Sequence, residues 1–145
     1  MPPAAPSPSA RRLGLAGLLP FVLGAAWVWT SRGAVQAQAT AALAAYGAVI
    51  VSFLGGIHWG LAFRHAVPQR ARLVWGVVPS LLAWLALALP TPLGLAGLGA
   101  TLIACYRVDR RVYADEGVAA WLPLRLRLTV VASLSCFVGA AGGAL

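Results

Sequence analysis

Residues 41–63 read AALAAYGAVIVSFLGGIHWGLAF, without one charged side chain. A helix rises 1.5 Å per residue, so about 20 residues cross the ~30 Å hydrocarbon core of a bilayer. This stretch is long enough to do so. A soluble helix of the same length would need a charged face for water, and none is available here. The segment is a membrane-spanning helix, and the rest of the chain is read around it.

Four further apolar runs flank it, at residues 13–30, 73–89, 93–106 and 128–145. The fourth run, 93–106, is short and spans only by tilting or by extending past its apolar core. The turn 89–92 (LPTP) between the third and fourth runs is tight, so these two form a helical hairpin. The expected fold is all-α: a polytopic transmembrane bundle of about five helices forming one domain over residues 13–145. Residues 1–12, rich in Pro, Ala and Ser, are expected to be a disordered cytoplasmic tail.

Composition supports this class. The chain of 145 residues is 61% hydrophobic and 10% charged, with a mean hydropathy of +0.84. Soluble domains hold about 25% charged residues. The net charge of +8 comes from eleven arginines with no lysine. They lie at the ends of the apolar runs and form no basic face, so they argue against nucleic acid and for anionic lipid headgroups. Ten fall on one side: Arg11, Arg12, Arg64, Arg70, Arg72, Arg107, Arg110, Arg111, Arg125 and Arg127; only Arg32 falls on the other. The excess of basic residues in short cytoplasmic connections puts the N-terminus inside and the C-terminus outside. Trp29, Trp59, Trp75 and Trp121 lie near run ends, where amphipathic rings suit the headgroup region.

Few residues offer chemistry. His58 is the ionisable group deepest in an apolar run, about 9 Å from Arg64 along the helix. Such groups are functional candidates by default, although no carboxylate in another apolar run is available to pair with it. His58 and His65 are too far apart on a straight helix to share a metal, and no metal or cofactor is expected. Pro20 and Pro79 should kink the first and third helices, and a kink at Pro79 can border a cavity. Asp109 and Arg125 fall in the charged connection after residue 106, read as a salt-bridged cytoplasmic platform in which Arg111 pairs with Asp115. Candidate ligand or proton-site residues are Ser52, His58, Trp59, Pro79, Asp109 and Arg125. A second pattern is the stripe Ala44, Ala48, Ser52, Gly56 and Gly60, small side chains four apart. In lipid, helices associate by close backbone approach, so the stripe is expected to pack against a helix of this or another chain. No Walker loop, nucleophile elbow or zinc-protease motif occurs.

Residues 15–21 (LAGLLPF), 46–61 (YGAVIVSFLGGIHWGL), 75–84 (WGVVPSLLAW) and 121–129 (WLPLRLRLT), with Asp109-Arg110 between the last two, carry a resemblance. The chain is similar to a family of small multi-pass bacterial membrane proteins classed as a domain of unknown function, with uncharacterised eukaryotic transmembrane relatives. The resemblance covers about residues 13–135. It implies a multi-pass protein of a bacterial inner membrane and supplies no catalytic residues. His58, Trp59, Pro79, Asp109 and Arg125 match positions where the family shows its motifs. The functional expectation is a non-enzymatic subunit or assembly factor, packing against other membrane-protein subunits or against itself. The alternative is a small transporter or ligand-binding protein with a cavity near His58 and Pro79.

Overall fold

The computed structural model of the protein describes residues 5–67 and 69–145. Its elements are α1 (Pro8–Ala16), α2 (Leu19–Thr30), α3 (Gly33–Ala62), α4 (Arg70–Ala88), α5 (Thr91–Asp115), a 3₁₀ turn (Ala119–Trp121) and α6 (Leu122–Gly143). No strand occurs among the described residues. Among the described residues five spans are long and apolar enough to cross a membrane, with α1 and α2 counting as one and the 3₁₀ turn joined to α6. The polytopic helical bundle is therefore as the hydropathy runs indicated.

The helix ends differ from those runs in an instructive way. The fourth run extends from residue 106 to Asp115, giving a helix of 25 residues that needs no special tilt to span. The fifth begins at Leu122 rather than 128, and so takes in Arg125 and Arg127. Hydropathy stops at charges, whereas backbone hydrogen bonding does not. At the N-terminus the helix starts at Pro8, where the Ser7 hydroxyl caps the Ala10 amide at 3.1 Å. The expected disordered tail is thus helical over residues 8–12; residues 1–4 of that tail lie outside the described residues.

Pro20 breaks the first span as expected, since proline has no N–H to give. The break falls at Gly17 and Leu18, and the Tyr46 hydroxyl of α3 donates to the Gly17 carbonyl at 2.8 Å. Pro79 does not end its helix: α4 runs through it to Ala88.

Close approach between helices falls on glycines that face backbone or tryptophan. A Cβ on Gly55 would lie 2.3 Å from the Gly76 carbonyl oxygen, so α3 and α4 nearly touch there. Pro79 flanks the same contact, its Cδ 3.4 Å from that position. The Trp59 indole covers Gly76 and donates to the Leu73 carbonyl at 2.9 Å. At the other end of the bundle Trp29 covers Gly142 and donates to the Val138 carbonyl at 2.9 Å. In both places a glycine one turn along leaves room for the ring to reach a main-chain acceptor. The expected stripe divides. Ala44 and Ala48 are buried in the core, Ser52 is half-buried, and Gly56 and Gly60 are exposed with nothing within 4 Å of a built Cβ. Within this chain the tight contact is at Gly55, one position off the stripe, because α4 meets α3 there through Gly76 and Pro79.

Candidate functional site

Asp109 lies in phase with Leu95, Leu98, Leu102 and Cys105 on the buried face of α5. Arg125 lies in phase with Thr129, Ala132 and Cys136 on the buried face of α6. His58 follows Val51, Leu54 and Gly55 on α3. Spacing alone thus turns three ionisable side chains into one interior. Their relative exposures are 1% for His58, 1% for Asp109 and 7% for Arg125, which makes this a charged cluster inside an apolar bundle.

The geometry is a bridge through one carboxylate. His58 Nε2 is 2.9 Å from Asp109 Oδ1. Arg125 donates to Oδ2 through Nε at 3.0 Å and through a terminal guanidinium nitrogen. An ionised carboxylate only accepts, so in this arrangement Nε2 of His58 carries the hydrogen. His58 Nδ1 is buried with no hydrogen-bond partner among the described residues. The Trp75 ring of α4 stands edge-on to the imidazole, with centroids 6.5 Å apart. The cluster therefore ties α3, α5 and α6 together and touches α4.

Of the six sequence candidates, His58, Asp109 and Arg125 come together, while Ser52, Trp59 and Pro79 do not join them. Trp59 secures the start of α4, and Pro79 is buried against Gly55. The expectation that His58 has no carboxylate to pair with is overturned, because α5 carries Asp109 into the bundle. The cytoplasmic platform is corrected for the same reason: Asp109 and Arg125 are buried. Arg111 and Asp115 are exposed and form no ion pair with each other.

A second ionic cluster went unread in the sequence. Glu116, its side chain 3% exposed, bonds to Arg72 and to His65 (2.9 Å), with Arg64 at 4.0 Å. It latches the connection between α3 and α4 onto the end of α5. Gly117, with φ +70°, makes the position possible: it turns the chain out of α5, and Val118 N–H bonds back to the Tyr113 carbonyl at 2.9 Å. That 6→1 bond, with the left-handed glycine before it, is a Schellman closure.

Beside the buried triad lies a cavity of about 630 Å³, within the ~300–1,000 Å³ range of small-ligand pockets. Its walls come from α1 and the break at Gly17, from Ile50, Leu54, Ile57 and Leu61 of α3, from Leu102 and Tyr113 of α5, and from Trp121 to Ala132 around α6. Arg125 and Thr129 line it, but His58 and Pro79 do not. The expected cavity near Pro79 is corrected accordingly: α4 packs too closely on α3 at Gly55 to leave space there.

A family described as a protein of unknown function, DUF3429, matches residues 6–141. The chain belongs to this family. It is also similar to transmembrane protein 69 of Xenopus tropicalis, 48% identical over 86 residues, covering 57% of this chain and 33% of that protein. The chain thus spans about a third of that relative's length. No solved structure matches. Within DUF3429, His58, Asp109 and Arg125 all fall inside the matched region, as do the cavity walls from Ala10 to Ala132. The chain is a multi-pass membrane protein with lipid around its helices.

Proposed function

We propose that this membrane protein is a non-enzymatic binding protein that holds a small apolar ligand in the cavity between α1, α3, α5 and α6. The observation that supports it is the place of Arg125: one face of its guanidinium serves the buried Asp109, while its side chain also lines the cavity. A buried charge pair is weak as a source of stability, because desolvation consumes most of the attraction. Its position on a pocket wall gives it a second use. Catalysis is disfavoured in this reading, since acid–base work needs a tuned group within reach of the reacting atoms. His58 and Asp109 are both 1% exposed and absent from the cavity lining.

In the same reading the arginine-rich end faces the cytoplasm of a bacterial cell and the chain resides in the inner membrane. The test is extraction in polymer nanodiscs without detergent, followed by native mass spectrometry. A small molecule should stay with wild type and be lost from Ile57→Trp, which fills the cavity from α3. Equal masses for the two proteins, after allowing for the substitution, would count against binding.

A second reading, as a subunit or assembly factor, draws on the face of α3 bearing Gly56 and Gly60. Both are exposed and open, so another helix could approach closely there. It calls for co-purification of a second membrane chain, or of a second copy, that Gly60→Leu abolishes without unfolding the protein.

A further inference from the structure

We propose that the cavity takes a neutral amphipath, one hydrocarbon chain ending in an uncharged head that bears a carbonyl or ester oxygen. The inference rests on the binding reading above and names the chemistry of the ligand. Along α3 the lining runs from Ile50 to Leu61, about 16 Å of helix. Over most of that length the walls are Leu, Ile, Phe and Ala, which offer a hydrocarbon chain contacts and offer a polar ligand none.

The polar side chains lie together on one wall, within an α6 lining that runs from Trp121 to Ala132. Arg125 and Thr129 sit one turn apart on α6, and the Tyr113 hydroxyl of α5 lies against Arg125. The hydroxyls of Thr40, Thr101, Ser133 and Ser135 each donate to the carbonyl four residues back, as helical hydroxyls in apolar surroundings do. Thr129, 4% exposed, does not: its Oγ1 is buried without a partner. It is an unspent donor beside a cavity. Hydroxyl and guanidinium together favour a head that accepts hydrogen bonds.

Charge decides between a neutral head and an anionic one. Among the described residues the single cation on the wall is already matched by Asp109, held through both Nε and a terminal nitrogen. A second buried carboxylate would have no cation of its own, and an unpaired ion in apolar surroundings is neutralised or expelled. The entrance suits a lipid-borne ligand. Leu13 of α1 and Phe53 of α3, both in the lining, are 74% and 65% exposed, so the rim meets the acyl phase.

Carbonyl heads on apolar chains come from acylglycerols and from prenylated quinones, and the test separates them. The full chain in phosphatidylcholine nanodiscs is photolabelled with a diazirine-bearing monoacylglycerol, in competition with monolaurin, decylbenzoquinone or laurate. Label should concentrate on α3 and α6 peptides that border the cavity. Either monolaurin or decylbenzoquinone should displace it at least tenfold better than laurate, and the better of the two identifies the source. Thr129→Val, nearly the same in shape, should weaken that competitor about fivefold, the worth of one hydrogen bond. Equal or stronger displacement by laurate overturns the neutral-head assignment while leaving a binding cavity in place. Label spread evenly over all spans in a protein that still melts cooperatively overturns the cavity reading as well. No loss in Thr129→Val removes the polar contact and sinks the assignment of the head.

Discussion

Asp109 has both carboxylate oxygens engaged, one by His58 and the other by Arg125. Removing one member of such a pair leaves the other as an uncompensated buried charge, at a cost of about 3–5 kcal/mol. Asp109→Ala should therefore lower the midpoint of chemical unfolding in detergent sharply. Asp109→Leu combined with Arg125→Met replaces both charges with apolar groups of similar bulk, and should recover most of that loss. Equal destabilisation of the single and double variants would show that the cluster does not behave as a charge pair. His58 could be singled out in the sequence because an ionisable group inside a long apolar run is rare; Asp109 and Arg125, set among other charges, stood out only through the family resemblance. The meeting of the three could not be read, since it depends on which faces of α3, α5 and α6 turn inward. One signal was present: Asp109 and Arg125 each continue a three-and-four spacing of buried residues that hydropathy windows average away.

At the scale of the element, α3 tests two neighbouring glycines with opposite surroundings. Gly55→Ala places a methyl group 2.3 Å from the Gly76 carbonyl oxygen, so α3 and α4 must separate. A drop of several degrees in thermal stability is expected. Gly56→Ala meets open space and gains helix propensity, up to about 1 kcal/mol. Thermal melts of the two variants should move in opposite directions. A fall for both would mean that Gly56 packs on something outside the chain. Gly76→Ala should also destabilise, because Trp59 occupies the space its methyl group would need. The measurement there is the melt together with Trp fluorescence, which should shift as the indole leaves the Leu73 carbonyl. The five spans were legible because lipid demands long apolar runs. The small-residue stripe pointed to α3 as the packing helix, but the face that α4 approaches lies one residue away. A period of four drifts across a helix of 3.6 residues per turn, so the stripe cannot stay on one contact over its whole length.

For the whole molecule, the two ends of the bundle are built differently. The basic end carries the latch of Glu116 with Arg72, His65 and Arg64. The opposite end is closed by Trp29 on Val138 and by Gln36, whose amide donates to the Val28 and Gly142 carbonyls at 3.2 and 3.0 Å. Proposed to face the cytoplasm by its arginines, the basic end can be placed by reporters. A fusion after Leu145 should read as periplasmic and an insertion at Gln69 as cytoplasmic; the reverse pattern would invert the bundle. Glu116→Gln should loosen the connection between α3 and α4, seen as faster amide exchange over residues 62–67, while the buried triad keeps its protection. Exchange rising equally in α5 and α6 would show that the latch holds the whole bundle.

The position of Asp109 also bears on how the chain is made. Synthesis delivers α5 before α6, and Arg125 follows Asp109 by sixteen residues. Until that arginine emerges, the carboxylate lacks the guanidinium it pairs with inside the bundle, and a charged acid without its buried partner is a poor passenger into hydrocarbon. The last two spans are therefore expected to enter the bilayer as a hairpin, with the end of α5 held at the interface until its partner on α6 follows. A chain cut after Gly117 should leave residues 107–115 open to water-soluble thiol reagents at engineered cysteines, and restoring α6 should close them off.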